Sequence, residues 1–112
     1  MSTYTPDKYT ILEIIHEDGN YYKVFGSWAG GYLGSDNWRM NSGIERAVVK
    51  DGTISFIGYS GSEYKCVKAS EGVIGSYNIA VLDNLLRDYE GKVLRRTLQE
   101  CIANNYFEVE GI

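Results

Sequence analysis

Between Tyr9 and Lys68 the chain alternates strand-like runs with tight-turn signals, and that rhythm restricts the fold more than any other feature. "YTILEIIH" (Tyr9–His16) is rich in β-branched and aromatic residues, and "EDGN" behind it carries an Asp-Gly pair of the kind that closes a hairpin. "YYKVFGSW" (Tyr21–Trp28) returns as its partner. "RAVVK", "TISFIGY" and "EYKCVK" follow, separated by "KDG" and "SGS". Branched and aromatic side chains pack well on a pleated surface, while Gly and Asp accept the backbone angles of a short reversal. Five or six short strands, each turned back on the last, predict an antiparallel meander.

After Lys68 the period changes. In "SYNIAVLDNLLRDYEG" the residues Ile79, Leu82, Leu86 and Tyr89 recur at helical spacing, with Val81 and Leu85 widening the stripe. Ser76 stands where an N-cap belongs, Gly91 where a helix stops, and Asp83 and Arg87 sit one turn apart on the far face. A second stripe, Leu94, Leu98, Cys101 and Ile102, predicts another helix over "VLRRTLQECIAN", with Arg96 and Glu100 paired outside. "YFEVEGI" has the composition of a last short strand. With 112 residues there is room for one core. At 44% hydrophobic and 23% charged residues, that core is large enough to exclude extensive disorder. The expectation is a single α+β domain over 1–112. It has a short arm at 1–8, an antiparallel sheet across 9–68, and two C-terminal helices within 76–105 packed on one sheet face.

Several functions are disfavoured at this level. A net charge of −4 and a pI near 4.9 lack the basic field that general nucleic-acid binding needs. His16 is the only histidine; its neighbour Glu17 points to the opposite face of a strand, so the pair reads as an exposed turn and not as a general base. Cys66 and Cys101 lie in unrelated segments without metal-ligand spacing and read as buried thiols. "GGYLG" lacks the Lys-Ser/Thr of a phosphate loop, and "SGSEYKC" is no nucleophile elbow. The sequence therefore predicts no enzyme, no cofactor and no metal. No apolar run is long enough to cross a membrane, and "MSTYTPDK" does not read as a signal peptide, so a cytoplasmic protein is expected.

Binding is better motivated, and it centres on "GSWAGGYLGSDNWRMNSGI" (Gly26–Ile44). Strand alternation puts Arg39 and Asn41 on one face, where a guanidinium and an amide can hold a phosphate and a base edge. Trp38 shares parity with Met40 and Ile44 and is expected in the core. Trp28, at the mouth of the glycine run, either packs on the sheet edge or offers a stacking platform. Arg46 shares parity with Ile44 and Val48, so either a bulge at Ser42-Gly43 resets the register or Arg46 is half buried and needs an anion. Tyr59 and Ser42 complete the candidate ligand set of Trp28, Arg39, Asn41, Ser42, Arg46 and Tyr59. Arg95-Arg96 reads as a solvated face.

"GSWAGGYLGSDNWRMNSGI" followed by "GYSGSEYKCVK" resembles segments of small proteins of tailed bacteriophages, over Tyr22–Lys68, a little under half the chain. Such proteins often act in the host cytoplasm as binders, among them inhibitors and sponges for nucleotide immune signals. The resemblance implies no catalytic residues. It implies a counter-defence binding protein, and the first expectation is capture of a small nucleotide signal by the six residues above. The alternative is a protein–protein inhibitor of a host or defence factor that uses its aromatic sheet face and glycine loop. A homo-oligomer that completes a pocket across a two-fold axis is compatible with either.

Overall fold

The alternating runs do become strands, but they divide between two sheets. The computed structural model describes residues 2–30 and 35–112. In chain order the elements are β1 (Thr3–Tyr4), β2 (Lys8–Ile14), β3 (Tyr21–Trp28), β4 (Asn37–Met40), β5 (Ile44–Lys50), β6 (Thr53–Gly58), β7 (Glu63–Val67), α1 (Ser76–Asp88), β8 (Val93–Arg96), α2 (Leu98–Ala103) and β9 (Glu108–Glu110). A five-stranded sheet runs β1-β7-β6-β5-β9 and a four-stranded sheet runs β4-β3-β2-β8. The smaller sheet is antiparallel throughout. The larger is mixed, because β1 joins β7 and β9 joins β5 in parallel.

The single meander expected from the turn signals is thus broken at Asn41–Gly43. Met40 still pairs with Phe25, whereas Ile44 already pairs with Gly58 in the other sheet. Gly43 makes the crossing possible: its φ is +148°, and a Cβ there would lie 3.0 Å from the Tyr59 ring. Alternation alone cannot reveal this jump, since each strand keeps its period of two on either side of it.

The two sheets pack face to face. Tyr9, Ile11, Tyr22 and Val24 of the smaller sheet meet Ala47, Ile54, Phe56, Tyr64 and Cys66 of the larger, and Leu98, Cys101 and Phe107 close the same core. The opposite face of the smaller sheet carries Leu12 and Phe25, which α1 covers with Leu82, flanked by Val81, Leu85 and Leu86. "YTILEI" is apolar at both parities because its strand is buried on both faces. β6 and β7 alternate cleanly, buried then open, because one face of the larger sheet has no cover.

The second helix is much shorter than its stripe predicts. Val93–Arg96 forms β8 and pairs with β2, so "VLRR" supplies the backbone partners for an otherwise open sheet edge. Only Leu98–Ala103 is helical, opened by a capping box in which Thr97 accepts from Glu100 N and Glu100 accepts from Thr97 N. The helices do not share a face: α1 lies outside the smaller sheet, while α2 plugs the core between the sheets. The short arm at 1–8 lies against the sheets, with β1 on β7 and Pro6 buried against Gly26. Among the described residues no helix is long and apolar enough to cross a membrane.

Candidate functional site

The glycine-rich segment is anchored at both ends by its neighbours. Asn78, fully buried in the first turn of α1, donates from Nδ2 toward the carbonyls of Trp28 at 2.9 Å, Asn37 at 2.8 Å and Ile74 at 2.9 Å. Asp36 returns the contact by accepting from Tyr77 N at 3.1 Å; the N-cap position is Gly75, which has no side chain to cap with, and Ser76, expected there, is the first helical residue. Gly75 is obligatory there: its φ is +94° and a Cβ would come within 2.6 Å of the Asp36 carboxylate. Positions 31–34, which include the centre of "GGYLG", lie outside the described residues.

The six predicted ligand residues fall in three places. Trp28 and Arg39 sit together at the rim of the smaller sheet, where the chain's own N-terminal segment occupies them. Trp28 Nε1 donates to the Thr5 carbonyl at 3.0 Å, and the Arg39 guanidinium lies 4.4 Å from the centre of the Tyr4 ring. Asn41, Ser42 and Tyr59 gather at the crossover. Asn41 is only 6% exposed and accepts from Val24 N at 3.0 Å, so its carbonyl oxygen serves the backbone. Ser42 Oγ accepts from Ser60 N at 3.1 Å, and Tyr59 remains 64% exposed. Arg46 is elsewhere, on the outer face of the larger sheet. The register shifts between Ile44 and Arg46, so the irregularity lies at Glu45 and not at Ser42-Gly43, and the Arg46 guanidinium lies 3.8 Å from Glu110 in an internal ion pair. Arg39 and Asn41 share a parity as expected, but only Arg39 reaches the surface.

Trp38 is not in the core. It is 39% exposed and lies flat on Phe25, with ring centroids 5.4 Å apart and planes 4° from parallel. Its parity is the buried one. β4, however, is the edge strand of its sheet, and α1 does not extend over the whole of this ring.

The surface that sequence reasoning missed is the bare face of the larger sheet. Strand pairing aligns Arg46, Ile57 and Glu63 in one cross-strand row, Val48, Ser55 and Lys65 in the next, and Lys50, Thr53 and Val67 in a third. These rows, without Val67 but with Asp51, line a shallow concavity of about 490 Å³. The signal was present in the alternation of "TISFIGY" and "EYKCVK", whose odd-numbered positions all point away from the core. Both edges of this sheet are short, two residues in β1 and three in β9, so the face and not the edge is its main exposed feature.

Glu13 has a structural role: it is buried and accepts from Arg96 Nε at 2.8 Å, Asn20 Nδ2 at 2.8 Å and Tyr22 Oη at 3.2 Å. Burial alone pushes its carboxyl up, but those hydrogen bonds and the Arg96 charge outweigh it and hold it below the usual carboxylate range. Burial pushes the thiols of Cys66 and Cys101 up to about 12, so neither is a nucleophile at neutral pH. His16 is exposed, and its Nδ1 accepts from Asp18 N at 3.1 Å. Among the described residues no three His, Cys, Asp or Glu side chains cluster closely enough to hold a metal ion. No protein-family model, no curated protein and no solved structure matches this chain.

Proposed function

We propose that this chain is a non-catalytic binding protein that engages another protein through the bare face of the five-stranded sheet, as an inhibitor of a host or defence factor. One observation carries the reading: three in-register rows give the bare face a mixed surface, in which half-buried Val48 and Ile57 flank the central Ser55 among Arg46, Lys50, Lys65 and Glu63, with exposed Val67 at one corner. A surface that mixes apolar and charged side chains in this way is ordinary for a non-obligate protein interface. Area adds a constraint. At ~4.8 Å between strands and ~3.3 Å per residue the face covers roughly 400 Å², about half of what each side of a stable complex contributes. The interface therefore extends onto its neighbours, and the exposed Tyr59 ring and the β9 carboxylates Glu108 and Glu110 adjoin it. The resemblance of Tyr22–Lys68 to small tailed-phage proteins accords equally with an inhibitor and with a nucleotide sponge, so the choice between them rests on the surface described above.

Nucleotide capture by the six-residue set is the less favoured reading, because Arg39 and Arg46 belong to different sheets and Asn41 is engaged by the backbone. The test is native mass spectrometry on protein isolated gently from infected-cell lysate, beside the double variant Arg46→Glu/Lys65→Glu. A retained protein partner is expected with the natural sequence and lost in the variant, which circular dichroism should show still folded. A bound mass of roughly a few hundred daltons that yields a nucleotide, and that survives the double substitution, would overturn the proposal.

A further inference from the structure

A second concavity lies on the other side of the molecule, and its chemistry is different. α1 enters beside Trp28 and Asn37 and leaves toward β8, so it crosses the smaller sheet and leaves uncovered the end where β3 begins and β4 stops. The cleft left there holds about 460 Å³, within the size range of small-molecule sites. Its floor is apolar: Ile14, Met40, Leu85 and Val93, from β2, β4, α1 and β8. Tyr21 and Tyr89 flank the floor, the latter 55% exposed. The charged groups lining it are Lys23 and Lys92, and no carboxylate lines it.

We infer that this cleft binds a small amphipathic anion, an apolar body bearing one acidic group. The apolar floor removes the body from water at about 25 cal/mol per Å², the tyrosine rings offer flat contact, and the two ammonium groups select the charge. Neither lysine is spent on the fold: among the described residues neither pairs with a carboxylate. Lys23 Nζ instead lies 5.9 Å from the centre of the Tyr21 ring, at the mouth of the cleft. The carboxyl end of a helix ordinarily repels an anion. Here the Tyr89 carbonyl is already engaged by Lys92 N at 2.9 Å and Val93 N at 3.0 Å, and Lys92 brings a positive charge to that end. The site is independent of the sheet-face reading, since it shares no residue with that surface.

The probe is anilinonaphthalene sulfonate, an aromatic anion whose fluorescence rises on leaving water, compared with neutral N-phenylnaphthylamine. One equivalent of the sulfonate is expected to bind the folded protein and to shift the amide NMR signals of Tyr21, Lys23, Met40 and Tyr89. Lys23→Gln/Lys92→Gln should weaken the sulfonate by about three- to tenfold, the effect of losing two partly screened charge contacts, and leave the neutral dye unchanged. The inference fails if the variant binds the sulfonate as the natural sequence does, or if the shifted signals map to the bare face of the larger sheet.

Discussion

Asn78 shows how much a single residue decides. One amide nitrogen reaches three backbone carbonyls, and two of them, Trp28 and Asn37, are the paired ends of β3 and β4 that flank the glycine-rich segment. Asn78→Ala removes two N–H donors that three part-buried carbonyls share, at about 1–3 kcal/mol for each group stranded. The expected loss is about 3 kcal/mol of unfolding free energy, measured by denaturant titration; a loss below 0.5 would show that water replaces the amide. Glu13 carries a pH signature. Its folded carboxyl titrates below its unfolded value, so its stabilisation is present above the unfolded pKa and is lost as pH falls through the folded one. Denaturation midpoints should therefore fall from about pH 5 downward, and Glu13→Gln should flatten that acid limb while lowering stability at neutral pH. Neither role is legible in the sequence. An Asn inside an amphipathic stripe and a Glu inside an apolar strand look like exceptions until their distant partners, Trp28 and Arg96, are in place.

At the scale of elements, the readable segments were those whose pattern is set by one neighbour. β6 and β7 follow their alternation because one face meets the core and the other meets water. α1 follows its stripe because it covers a single sheet face. β8 broke the rule: its helical spacing gave way to the hydrogen-bonding demand of the open β2 edge, a partner about eighty residues away in sequence. β4 broke it differently, since parity predicts the direction of a side chain but not whether anything lies above it. Trp38→Ala is accordingly expected to cost about 1–2 kcal/mol, the loss of a stacked and partly exposed ring. A fully buried aromatic would cost 3–5 kcal/mol. A shift in the melting midpoint of that larger size would place the ring under more cover than β4 and α1 provide.

The whole molecule is a sandwich with one extra layer, α1 on the smaller sheet, and one bare face on the larger. Its closure makes a kinetic prediction. Cys66 and Cys101 sit at 2% and 0% exposure in the shared core, from segments that meet only when the sheets pack. Labelling by a disulfide reagent should be slow in native buffer, should hit both thiols together, and should accelerate with denaturant in step with unfolding. Rapid native modification of one thiol would reveal a local opening of α2 or β7. The sequence by itself determined the α+β class, most strand positions, the turns at "KDG" and "SGS", and the first helix. These follow from local physics: side-chain alternation, turn stereochemistry and helical period act within a few residues. Only the tertiary structure decided that the strands split into two sheets, that "VLRR" is a strand, that Trp38 is uncovered, and that the six candidate residues disperse. Each of those outcomes depends on which distant surface remains to be paired or covered, and a single sequence records such demands only after the chain has closed on itself.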